Sequence, residues 1–236
     1  MRYELYYWTG IQGRGEFVRL ALEDAGADYI DVARERGDNA MLSFLQGMQA
    51  GALPFAPPFL KAGRLVIAQT ALILAYLGPR LGLVPEGSGA EIYAQQLQQT
   101  ITDFVAEVHD THHPLVLSEY YEQQRPAARK RTQAFLDERL PKFLGYFEDV
   151  IARGNGRQAL SRHSYVDLSL FQLVSGLDYA FPNAMTRMHK RMTRLRALAA
   201  RIAERPNISA YLQSPRRIAF NEDGIFRHYP ELDRAR

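Results

Sequence analysis

The stretch Phe55–Thr70, FAPPFLKAGRLVIAQT, decides how this chain is read. Phe59-Leu60-Lys61 and Leu65-Val66-Ile67 read as two short apolar strands folded over an Ala62-Gly63 turn. The first strand opens on Pro57-Pro58, and proline has no N–H to donate to a sheet ladder. Taken alone, the segment is an edge strand or a rigid loop. What flanks it gives it a more specific meaning.

On its N-terminal side, Tyr3, Leu5 and Tyr7 alternate with Glu4 and Tyr6, the period of a strand. The Gly-rich turn GIQGRG follows, and then EFVRLALEDAGA, with Phe17, Val18, Leu20, Ala21 and Leu22 along one face of a helix that Gly26 stops. Tyr29-Ile30-Asp31-Val32 reads as a second strand, ahead of the Pro-Pro hairpin. On its C-terminal side a helix starts at Thr70 and ends at Gly78. The order β-α-β, then β-β-α, describes one α/β layer. Past the loop at 78–89 the pattern is helical throughout, over Ile92–Leu117, Arg125–Arg153, Ser164–Ala180 and His189–Glu204. A short turn at Asn207–Leu212 and an irregular tail close the chain.

Composition excludes several classes of function. The 236 residues contain no cysteine, which removes disulfides, thiolate metal sites and any mechanism in which the protein supplies its own thiol. No run approaches the apolar length of a membrane span, and the opening MRYELYYWTG lacks the features of a signal peptide. A cytoplasmic location without membrane association is therefore expected. The net charge of +3 is spread over scattered arginines, so no nucleic-acid partner is expected.

Several landmarks occur together: Tyr7-Trp8 at the end of the first strand, Gly13-Arg14 opening the first helix, Pro58, Gln69-Thr70 eleven residues later, and Ser164-Tyr165-Val166-Asp167 in the helical half. In this order they resemble the cytosolic glutathione S-transferases of the tyrosine type. The resemblance covers nearly the whole chain. It implies an α/β thioredoxin-like N-terminal domain (1–81), an all-α C-terminal helical domain (90–236), a homodimer, and glutathione as co-substrate for attack on a small hydrophobic electrophile, the chemistry of detoxification.

The resemblance also implies roles for residues. Pro58 follows a cis bond, and the backbone of Pro57 pairs with the cysteinyl part of glutathione. Pro57 departs from the family pattern because it has no N–H, so it can serve only through its carbonyl, or the ligand can shift to Ala56. Gln69 and Thr70 hold the γ-glutamyl end; Thr70 reads independently as a helix N-cap, where free N–H groups suit a carboxylate. Arg14 approaches the glutamyl group or Tyr7, and Asp103 reaches the γ-glutamyl ammonium across a dimer interface. Trp8, Phe104, His109, His113 and Phe220 surround the electrophile. The glycyl carboxylate falls to an unspecified group between Arg34 and Gln49.

Tyr7 is the expected catalytic residue. A thiol's ordinary pKa of about 8.5 leaves only a few per cent as thiolate at neutral pH. Lowering it by about two pH units takes about 2.7 kcal/mol, within reach of one phenol O–H bond to sulfur in a dry site. Tyr6, on the opposite face of the strand, is the fallback and reads better as core.

His109 and His113 in HDTHH imitate a zinc-protease spacing with Asp for Glu. A metal site there would need a third ligand and a buried setting, and Pro114 follows at once, so no metal is expected; the resemblance makes these histidines pocket walls. Ser164-x-x-Asp167 is a capping box, with a cost of about 1 kcal/mol or more for Asp167→Ala. Two other functions fit the same residues less well: a non-catalytic glutathione- or ligand-binding protein on this fold, and a metal-dependent hydrolase built on the histidines.

Overall fold

The computed structural model describes residues 1–47 and 53–233. Strands β1 (Tyr3–Tyr6), β2 (Tyr29–Asp31), β3 (Phe59–Ala62) and β4 (Leu65–Ala68) form a mixed sheet in the order β2-β1-β3-β4. Helix α1 (Gly15–Asp24) carries the chain from β1 to its parallel neighbour β2. β3 runs antiparallel to β1, and its first pair joins Tyr6 to Phe59. The two prolines therefore stop one residue short of the ladder, so no sheet bond asks them for a donor. The Pro57-Pro58 bond is cis.

Alternation along β1 sends Tyr3 and Leu5 to one face of the sheet, where they pack with Val18 and Leu22 of α1 and with Ile73 and Leu77 of α4 (Thr70–Arg80). Tyr6, Ile30 and Phe59 face the other way, against Met41 and the short helices α2 (Val32–Arg36) and α3 (Asp38–Gln46). Neither short helix is foreseen in the sequence, and Val32 opens α2 rather than closing β2. α4 continues through Gly78 and Pro79 to Arg80. Pro79 removes one donor with a single turn remaining, and Leu81 N–H closes that turn on the Leu77 carbonyl at 2.9 Å.

The remaining elements are helical: α5 (Ser88–Asp110), α6 (Arg125–Ala134), α7 (Leu140–Arg153), α8 (Tyr165–Ala180), α9 (Pro182–Met188), α10 (Thr193–Ala203) and α11 (Pro206–Leu212). α5 stops seven residues before the expected Leu117, because the chain turns at Thr111. The single helix expected over 125–153 is split by a π segment, Phe135–Arg139. The wider hydrogen-bond step sits next to Pro141, which withdraws a donor from the ladder. Thr193 rather than His189 opens α10. Among the described residues no helix is long and apolar enough to cross a membrane.

α8 packs against α1, α5 and α10 and is buried along most of its length. Its start is fixed by the capping box: Asp167 accepts from the Ser164 N–H at 2.8 Å, the Ser164 hydroxyl at 3.0 Å and the Ala159 N–H at 2.8 Å. The next residue, Tyr165, donates its N–H to the Leu83 carbonyl at 2.8 Å and lays its ring on Gly78. The cap thus holds the joint between the sheet layer and the helices. Asp167→Ala leaves three donors without an acceptor in a fully buried place, so we expect a loss of about 3–5 kcal/mol in urea unfolding, above the ~1 kcal/mol of a simple cap. Asp167→Asn, which keeps one acceptor oxygen, is expected to lose less.

Candidate active site

Tyr7 leaves the end of β1 on the α1 face of the sheet and is only 5% exposed. Its hydroxyl accepts the Arg14 N–H at 2.9 Å, at the start of α1. The first N–H groups of a helix have no partner inside it and carry partial positive charge, so a phenol oxygen placed there meets a preorganised donor. Two glycines of the GIQGRG turn make this approach possible. A Cβ on Gly13 would stand 2.0 Å from the Tyr7 hydroxyl, and one on Gly15 would stand 2.5 Å from its ring. Gly13 also has a φ of +46°, which side-chain-bearing residues rarely adopt.

Burial raises the Tyr7 pKa, outweighing the opposing pull of the Arg14 N–H and the Arg14 and Arg19 guanidiniums. The phenol therefore keeps its proton at neutral pH. Because the oxygen already accepts from Arg14, the O–H remains available to donate. Tyr6 is a core residue: its ring stacks on Phe59 at 4.5 Å and its hydroxyl donates to Glu4 at 2.7 Å.

A cleft of about 450 Å³ lies between the starts of α1 and α4 and the flank of α5. It brings together Arg14, Gln69 and Thr70 from the predicted set. Gln69, not Thr70, is the residue capping α4, with a φ of +70°; a non-glycine residue there is strained and held by its surroundings. Thr70 is the first helical residue, and its hydroxyl contacts the Arg14 carbonyl at 3.5 Å, which links α4 to α1. Tyr7 does not line the cleft and is joined to it through Arg14. Asp103 stands just outside, exposed and without an ion pair among the described residues, while its neighbour Thr102 lines the wall.

Gln98 is the cleft residue that the sequence reading overlooks. It is 1% exposed, and its Oε1 has no hydrogen-bond partner. The signal was present: Ala94, Leu97, Ile101, Val105 and Val108 form the buried stripe of α5, and Gln98 interrupts it with an amide. A buried unpartnered acceptor is costly unless something fills it.

The tail closes over the GIQGRG turn. The Gln12 amide donates to the Ile218 carbonyl, Asn221 donates to the Gly10 carbonyl at 2.8 Å, and Gln172 reaches Gln12 at 2.8 Å. Phe220 stacks on Tyr179 at 5.0 Å and shares a small pocket with Gln12 and Gly13, placing it near the Tyr7 hydroxyl. His109 and His113 are half-buried and stack on each other at 5.3 Å. Burial, with the Arg14 charge adding to it, holds the His109 pKa down to about 4. Trp8 is 37% exposed.

One expectation is corrected. Phe104 is wholly buried, stacked on Phe143 at 4.3 Å, because it falls on the core stripe of α5 and not on an open wall. In the stretch expected to meet the glycyl carboxylate, Arg34 donates to the carbonyls of Pro215 and Arg216, and Gln49 lies outside the described residues. For the Tyr7 seat, Gly15→Ala is expected to cost about 1–3 kcal/mol from overpacking and to speed hydrogen exchange at the Arg14 amide. Urea unfolding and amide exchange check both.

Comparison with known proteins bears on the whole arrangement. A family model, glutathione S-transferase C-terminal domain, matches residues 109–215. The chain is 26% identical to a glutathione S-transferase of Plasmodium falciparum over 216 residues, covering 88% of this chain and 93% of that protein. It is 27% identical to glutathione S-transferase P of Bos taurus over 217 residues, covering 90% and 92%. The solved Pi-class glutathione S-transferase of Onchocerca volvulus superposes with a TM-score of 0.69 at 23% identity, over 90% of this chain and 93% of that one. From the sheet layer through the helical half, this chain is similar to glutathione S-transferases over nearly its whole length.

Proposed function

We propose that the protein is a tyrosine-type glutathione transferase in which Tyr7 activates the bound thiol. One observation carries this reading: the Tyr7 oxygen accepts from the α1 N-terminus at 2.9 Å while its O–H stays free and protonated. A thiolate placed beside that O–H gains a charge-assisted bond in a site with little water. The sulfur then attacks an electrophilic carbon, and the electron pair of the broken bond leaves with the departing group. Binding holds both reactants in place, which supplies much of the rate.

Glutathione occupies the cleft in this reading. Its γ-glutamyl carboxylate meets the N-terminus of α4 at Gln69 and Thr70, with Arg14 supplying positive charge. The Gln98 Oε1, otherwise unpartnered, accepts from the γ-glutamyl ammonium. Pro57 contributes its carbonyl to the cysteinyl segment, ahead of Pro58. His109, His113, Trp8 and Phe220 border the space left for a small hydrophobic electrophile. Residues 1–81 form the glutathione-binding domain and 90–236 the helical domain. The protein works as a homodimer in the cytoplasm, where the exposed Asp103 of one copy reaches the ammonium held by the other, and its conjugation chemistry serves detoxification.

Steady-state kinetics with glutathione and an activated aryl halide test the proposal. Tyr7→Phe is expected to lower kcat at neutral pH roughly 100-fold, the equivalent of about 2.7 kcal/mol, with little change in KM for glutathione. A wild-type rate in the variant overturns the role of Tyr7, and absence of conjugation in the wild-type protein overturns the function.

A further inference from the structure

The histidines at the end of α5 are not fully explained as pocket walls. The His109 carbonyl accepts both the His112 N–H and the His113 N–H, each at 3.2 Å. This tight turn brings three rings together instead of the two that a continuous helix would align. Their centroids stand 5.0 Å apart for His109 and His112, 5.3 Å for His109 and His113, and 4.8 Å for His112 and His113. Each ring offers one nitrogen to a set that lies within 4.8 Å. In a tetrahedral zinc site, Zn–N bonds of about 2.0–2.1 Å put the nitrogens roughly 3.3 Å apart, so small side-chain rotations close the gap.

The hydrogen bonds fix which nitrogen is free. His112 is 1% exposed, and its Nε2 lies 2.8 Å from the Ile225 carbonyl. A carbonyl only accepts, so Nε2 carries the hydrogen and Nδ1 holds a lone pair. A backbone carbonyl on the far nitrogen is the usual way a metal-binding imidazole is oriented. The His112 Nδ1 faces the His113 Nδ1 at 2.6 Å, a separation that accommodates one hydrogen, donated by His113. A cation can take that hydrogen's place if His113 moves it to Nε2 at its half-exposed edge, with no net loss of a proton.

We infer that His109, His112 and His113 form a three-imidazole site for a divalent transition metal of the zinc type, with a fourth position open to water. Three neutral imidazoles with one open position suit zinc. His112 supplies both the third ligand and the burial that the sequence pattern lacked. The surrounding charges are mixed. The guanidiniums of Arg14 and Arg227 oppose a cation, whereas the Asp110 carboxylate, 3.8 Å from His109, and Glu122 near His113 favour one. Arg227 is itself turned to the carbonyls of Gly224 at 2.7 Å and Asp223 at 3.1 Å. This balance predicts an exchangeable metal rather than one needed for folding. The proposal stands apart from the Tyr7 chemistry and does not depend on it.

Untagged, metal-stripped full-length protein titrated with Co²⁺ tests it. The expected result is one Co²⁺ per chain with the visible absorption of tetrahedral cobalt, displaced by Zn²⁺. His109→Gln and His113→Gln, both at half-exposed positions, are expected to weaken binding by at least about tenfold, since loss of even an outer-shell partner can cost that much. His228→Gln is expected to leave it unchanged. X-ray absorption on the wild-type zinc complex supplies a readout independent of any variant, with three imidazole ligands expected. Absence of Co²⁺ binding, binding that survives the His109→Gln/His113→Gln double variant, or fewer than two imidazoles in the absorption spectrum overturns the inference.

Discussion

Helix α1 is buried over all ten of its residues, and it carries charge into that environment. Glu16 and Arg19 are both wholly buried and lie 3.3 Å apart. Arg19 also holds Asp31 at 2.7 Å, and Glu16 takes the Tyr211 hydroxyl at 2.7 Å and the Arg217 guanidinium. Buried ions are tolerable only when paired and hydrogen-bonded. The partners come from β2, from α11 and from the tail, so satisfying α1 locks those parts of the chain around it. At the other end of the helix, Asp24 receives His163 at 2.8 Å together with Arg205. Burial alone would raise its pKa, yet the bonds from His163 and Arg205 prevail and hold the carboxyl below its ordinary value. With both ends anchored, the first N–H groups of α1 become a fixed feature against which Tyr7 can be set.

That fixity is what gives Tyr7 its chemical character. The phenol oxygen is oriented by a backbone donor that cannot move away, and the glycines at 13 and 15 let the ring lie close enough to use it. In the function proposed above, a hydrogen bond from this O–H to the thiolate costs little reorganisation, which is the advantage of preorganised dipoles over water. The same helix start borders the cleft through Arg14, and Thr70 ties the start of α4 to it. In the proposed function, thiol activation and ligand placement therefore share one support.

Much of this was legible in the sequence. Alternation in β1 separates Tyr7 from Tyr6, and the structure puts them on opposite faces as that period requires. The cis bond that the resemblance implies at Pro58 is present, and the start of α4 falls at the Gln69-Thr70 landmark. Ser164-x-x-Asp167 announces its cap with short-range chemistry alone. What escaped depends on contacts between distant segments. α2 and α3 are too short for periodicity to reveal, and Phe104 looks like any exposed aromatic until the phase of α5 is known. Gln98 and His112 became meaningful only when α5 and the tail were seen to bury them. Cap assignment slipped by one residue at Gln69 because a strained φ, not a side-chain bond, opens that helix.

The central claim is that the Tyr7 O–H, held by the α1 N-terminus, stabilises a thiolate. The most direct measurement is the pKa of the glutathione thiol bound to the protein, followed by thiolate absorbance across pH in wild type and in Tyr7→Phe. The wild-type value is expected about two pH units below that of the free thiol, returning toward the free value in the variant. Bound glutathione with an unshifted thiol in the wild-type protein would contradict that claim.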